Sequence, residues 1–143
     1  MKLYVRQMAW LNATPKLPEG SKRAQRGGSS CLSRIEELKK DKISPPMPPN
    51  PAPHLINRLI EIGIAETGGM GPSTLSWREI GEWQRLTGVE LEPWEARLIR
   101  DLSAAYIAEG RLAEDHNCPP PWRAAITQQA RDADEARLRS VLG

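Results

Sequence analysis

The sequence predicts an all-α fold: a small helical domain with a Trp-rich helical hairpin, preceded by a basic, Pro-rich, largely extended arm. Three observations carry that reading. Apolar residues recur at three- and four-residue steps between positions 54 and 113. Helix-start and helix-stop residues bracket two of those periodic stretches. A block of six prolines within residues 45–53 divides the chain. No alternating strand pattern and no internal repeat is read.

Charge follows the same division. Residues 1–49 carry ten basic groups against four acids, whereas residues 50–143 carry ten arginines against fourteen acids. All six lysines lie at or before Lys42. A basic arm on a mildly acidic domain is the expected organisation, and Lys22, Arg23 and Arg26 are its candidate contacts for nucleic acid or an acidic surface. No aromatic residue stands among them to stack on a base, so a solvated, mobile tail is the simpler reading and nucleic acid is not the expected partner.

Residues 1–31 read as irregular chain, broken by Pro15, Pro18, Gly20 and Gly27-Gly28. A short helix follows over about 32–42. Leu32, Ile35 and Leu38 repeat in it, and Ser33 with Glu36 forms a capping box. Pro45 to Pro53 is expected to be an extended, stiff spacer. The domain is thus read as 54–123, the arm as 1–53, and 124–143 as a peripheral C-terminal helix.

Within the domain, Leu55, Ile56, Leu59, Ile60 and Ile62 make one helical face over 54–66. The glycine-rich turn Thr67 to Pro72 ends it. That turn is no phosphate cradle: no apolar strand precedes it, no lysine follows, and its glycine spacing fits neither phosphate-binding fingerprint. The next helix has the clearest start in the chain, with Ser76 as N-cap, Glu79 as reciprocal partner, and a Leu75–Ile80 staple. Gly88 stops it after Thr87. Pro93 opens the longest helix, to about Ala113, carrying Trp94, Leu98, Leu102 and Tyr106. After Pro119-Pro120-Pro121, a weakly apolar helix is expected from Trp122 to Val141.

Functional chemistry is sparse. The two histidines and two cysteines, His54, His116, Cys31 and Cys118, include no Cys-x2-Cys pair, so no metal site is read. Cys31 and Cys118 stand 87 positions apart, which is no disulfide framework and suits a reducing compartment. Glu90, Glu92 and Glu95 cluster at a helix start, where the helix dipole favours them without any catalytic role. No nucleophile, cofactor motif, signal peptide or spanning helix is read, and the expectation is a non-enzymatic protein without cofactor. Ile80 to Leu91 superficially resembles a DNA-binding helix-turn-helix. However, residues 76–107 hold four Arg against six acids, the wrong sign for a phosphate-facing surface. A small nucleic-acid-binding regulator is therefore the alternative reading.

Tryptophan is the informative residue: there are five Trp and no Phe. Trp77 and Trp94 are expected to fill the core in place of Phe, while Trp83 and Trp122 divide evenly between core and surface. Trp is also enriched at protein–protein hot spots. The candidate partner-binding set is therefore Trp77, Ile80, Trp83, Trp94, Leu98, Tyr106 and Trp122.

The order Ser76-Trp77-x-Glu79-Ile80, Trp83-x-x-x-Thr87-Gly88, Leu91-x-Pro93-Trp94-Glu95 and Leu102-Ser103-x-Ala105-Tyr106 resembles a module of tailed-phage and prophage tail gene clusters, the tail assembly chaperones. The resemblance covers about residues 48–123. It implies a small helical protein of the host cytoplasm that binds the tape-measure or tail-tube protein during assembly. Some members of that family are frameshift extensions of an upstream gene, and some need not stay in the virion. A structural virion tail protein is the second alternative.

Overall fold

The computed structural model describes residues 1–17, Gly20 and 32–143. Among them are six helices and one hairpin: α1 (Lys2–Asn12), α2 (Arg34–Lys40), α3 (Pro53–Ile62), β1 (Ala65–Gly68), β2 (Gly71–Thr74), α4 (Trp77–Thr87), α5 (Pro93–Leu112) and α6 (Gln128–Leu142). The fold is thus mostly helical but not purely so. α5 is its axis: α1, α3, β1 and β2 all pack against it. One core cluster gathers Val5 from α1, Ile56 and Leu59 from α3, Leu75 and Ile80 around the start of α4, and Ile99 and Leu102 from α5.

The expectation of an irregular N-terminus with one short helix in residues 1–53 is corrected by α1. Its first turn holds no acidic residue and its N-cap makes no side-chain hydrogen bond, so the local start signals are missing. Its buried set also includes Gln7, which breaks the apolar pattern. That glutamine is satisfied across the fold: Nε2 donates to the Pro46 carbonyl at 3.0 Å, and Oε1 accepts from the Trp122 amide at 3.1 Å. Tertiary partners rather than propensity therefore hold α1. They also tie down residues 45–53, the stretch expected to be an extended, stiff spacer. The segment has no regular structure before α3, but Pro48 is buried and Pro46 is tied to α1.

α2 begins as its sequence predicts. The Ser33 hydroxyl accepts from the Glu36 amide at 3.4 Å, and the Glu36 carboxylate accepts from the Ser33 amide at 2.8 Å. The guanidinium of Arg34 is buried, and burial lowers its pKa from the usual arginine value. It donates to the carbonyls of Trp10 and Asp115, each at 3.1 Å, and lies 4.4 Å from the centroid of the Trp10 ring. One side chain thus fastens α2 to the end of α1 and to the loop after α5.

The second correction is the hairpin at 65–74, which ends α3 four residues short of the expected 66. Gly63 at φ 120° and Ile64 at φ 64° turn the chain out of the helix. For β-branched Ile64 that conformation is strained, at about 1–3 kcal/mol, and the side chain packs against the core cluster. Ala65 then pairs with Thr74 and Gly68 with Gly71 in an antiparallel ladder, closed by Gly69 and Met70. Both strands are short, contain Gly and bury no residue fully, so they lack the alternation that marks a half-buried strand. The last helix starts at Gln128 rather than Trp122, capped by Thr127, and buries no residue.

Because α1 belongs to the core, its inward and outward leucines should differ. Leu11 is buried and Leu3 is exposed. Leu11→Ala should cost about 2–5 kcal/mol in urea unfolding, whereas Leu3→Ala should stay within about 0.5 kcal/mol.

Candidate partner-binding site

Six of the seven candidate partner-binding residues sit on α4 and α5, with Trp122 beyond them, and local chemistry fixes both helices. The Ser76 hydroxyl accepts from the Glu79 amide at 3.3 Å, as a capping box requires. The reciprocal contact comes from elsewhere. Glu66 on β1, rather than Glu79, accepts from the Ser76 amide at 2.8 Å and also from its hydroxyl. These Ser76 hydrogen bonds hold the Glu66 carboxyl below the usual glutamate range. The hairpin therefore completes the start of α4. Leu75 and Ile80 are both buried, as the staple predicts.

At its other end α4 stops on Gly88 at φ 70°, whose amide donates to the Gln84 carbonyl. The Gln84 side chain accepts from the Leu91 amide at 2.8 Å and so sets the short connection. Pro93 opens α5, and the Glu95 carboxylate accepts from the Glu92 amide at 2.9 Å. Glu95 also pairs with Arg58 of α3 at 3.1 Å. Ser103, fully buried in α5, accepts from the Leu75 amide at 3.0 Å.

Within this frame the tryptophans divide contrary to expectation. Trp77 and Trp94, expected in the core, are 52% and 55% exposed. Trp83 is the buried one, and its indole N–H has no hydrogen-bond partner among the described residues. The start of α4 lies where the chain leaves the hairpin, so Trp77 stands at the rim. About one and two turns further on, Ile80 and Trp83 are buried. The Arg100 guanidinium lies 5.3 Å from the centroid of the Trp77 ring. Trp94 and Arg97 are both exposed, and their spacing makes them neighbours on α5, as it does Arg97 and Arg100. The surface from Trp94 to Trp77 is therefore aromatic at its two ends and cationic between them. Sequence reasoning missed Arg97 and Arg100; the three-residue steps from Trp94 were the available signal.

The other candidates lie apart from this surface. Ile80 is core, and Leu98 packs partly buried against the core cluster. The Tyr106 hydroxyl accepts from Asn12 at 3.4 Å, and the ring lines a groove of about 530 Å³ with Ala9, Met70 and Arg111. Trp122 is partly buried, and its backbone amide is held by Gln7. Lys22, Arg23, Arg26 and Cys31 lie outside the described residues. His54 and His116 are exposed on separate segments. Burial pushes the Cys118 thiol above its usual pKa. No described helix is long and apolar enough to cross a membrane.

The fold is thus a mostly helical unit with two half-exposed indoles on consecutive helices. The family model described as phage tail assembly chaperone matches residues 34–108, just over half of the chain, and the chain belongs to that family. The match runs from α2 through most of α5 and contains the whole Trp77–Trp94 surface; α1 and α6 lie outside it. No match is found among curated proteins or among solved structures.

Two substitutions test the frame of the site. Ser103→Ala leaves the buried Leu75 amide without an acceptor and should cost about 1–3 kcal/mol in urea unfolding. Glu66 has a folded pKa below its unfolded value, so its contribution is present above the unfolded pKa and is lost as pH falls through the folded one. Glu66→Gln should remove that part of the acid dependence, giving a shallower fall in Tm below the usual glutamate range than the parent chain shows.

Proposed function

We propose that this tail assembly factor works without catalysis, in the host cytoplasm, by binding a tape-measure or tail-tube protein through the surface from Trp77 to Trp94. The observation that carries the reading is the half-exposure of two large indoles, Trp77 on α4 and Trp94 on α5. Isolated exposed apolar residues are ordinary. Here two tryptophans flank cationic side chains, with one arginine stacked on an indole, and aromatic and Arg residues dominate hot spots. A partner's apolar segment covered by this surface would be shielded from self-association until the tail protein assembles.

The alternative, a nucleic-acid regulator, would have to bind through a segment, residues 76–107, in which six acids outnumber four Arg. Tagged protein should recover the tail protein from cells expressing the neighbouring tail genes, and nuclease should not change the yield. Trp77→Ala and Trp94→Ala should each weaken that binding by about 5–30-fold, as hot-spot truncations of 1–2 kcal/mol do, with Tm nearly unchanged. Trp83→Ala should instead cost about 3–5 kcal/mol of folding stability. Recovery of nucleic acid alone, lost at raised salt, would contradict the proposal.

A further inference from the structure

The last helix poses a separate question. α6 runs for 15 residues and buries none of them. Isolated helices of that length are marginal in water. On its outer face Gln128 donates to Asp132 at 2.9 Å, and Arg139 pairs with Glu135 at 2.5 Å. The opposite face carries Ala130, Ala133, Leu138 and Val141, with Leu138 and Val141 exposed. Within that stripe stand one acid and one base, Asp134 and Arg137, neither of which has an ion-pair partner among the described residues. A helix meant only for water has no reason to put large aliphatic groups on the face where its charges are left unpaired.

The order of these residues is self-complementary in one orientation. An antiparallel copy of α6, centred between Glu135 and Ala136, sets Asp134 opposite Arg137 and Arg137 opposite Asp134. The same register sets Ala133 opposite Leu138 and Ala130 opposite Val141, so each large side chain meets a small one. A parallel pairing would instead place Asp134 against Asp134 and Leu138 against Leu138. We infer that α6 is a self-association helix, and that its partner is the α6 of a second copy of this chain, packed antiparallel about a two-fold axis. The contact is small and carries two inter-chain ion pairs, so the dimer is weak and concentration-dependent.

The test uses the full chain in sedimentation equilibrium, from micromolar to millimolar concentration. The parent chain should rise from its 16.0 kDa mass toward twice that value. Asp134→Arg sets like charges opposite each other and should hold the chain at the single mass. The double variant Asp134→Arg with Arg137→Asp reverses both partners and should restore the rise. Because α6 buries nothing, both variants should keep the parent Tm, which separates loss of pairing from loss of fold. A parent chain that stays at 16.0 kDa throughout, or an Asp134→Arg chain that dimerises like the parent, would overturn the inference.

Discussion

Everything else in the fold depends on burying one side of α5. Ile99, Leu102 and Ser103 are fully enclosed, and around them close α1, α3, the hairpin and the start of α4. A 20-residue helix spans about 30 Å, long enough to serve several neighbours at once. Val5 meets the same cluster as Ile80 and Ile56. The burial of apolar area is the dominant favourable term, and in a chain this size it must be drawn from every helix that can reach the axis. Two ion pairs fix the direction of approach: Arg6 of α1 reaches Glu109 at 2.9 Å, and Arg58 of α3 reaches Glu95. Each joins a half-buried or exposed arginine to a carboxylate that is nearly enclosed, so the arginines matter most for not leaving Glu95 and Glu109 buried alone.

The same axis decides what the surface offers. Ser103 receives the Leu75 amide, Leu75 anchors the entry to α4, and Glu66 holds Ser76 from the hairpin. With its start clamped in this way, α4 presents Ile80 and Trp83 inward and leaves Trp77 at the rim. Arg100 on α5 then comes to lie over Trp77. The chain belongs to the tail assembly chaperone family, and both exposed indoles stand within the residues that the family model matches.

Legibility from sequence followed the range of the interaction. The elements that are self-specified were readable: Ser33 with Glu36, Ser76 before α4, Gly88 after it, and Pro93 at the start of α5 all act within a few residues. Elements specified from afar were not. α1 has no local start signal and rests on Gln7, Arg6 and Trp10, whose partners lie between 39 and 115 positions away. The hairpin was hidden because its two strands are short, contain Gly and bury no residue fully. The tryptophans were legible as landmarks of α4 and α5, but their burial was not. Trp77, Trp83 and Trp94 differ in burial because of where the hairpin and α5 stand, and no spacing within α4 encodes that.

The most direct test reads the indole N–H groups themselves. The chain has five tryptophans, so NMR of an indole-labelled sample gives five resonances whose exchange with solvent can be followed separately. The account predicts slow exchange for Trp83, which is enclosed, and for Trp10, which donates to the Cys118 carbonyl at 2.9 Å. Trp77 and Trp94 should exchange quickly in the free chain and slow when the tail protein is added. Fast exchange at Trp83, or a bound complex in which Trp77 and Trp94 still exchange as in the free chain, would contradict it.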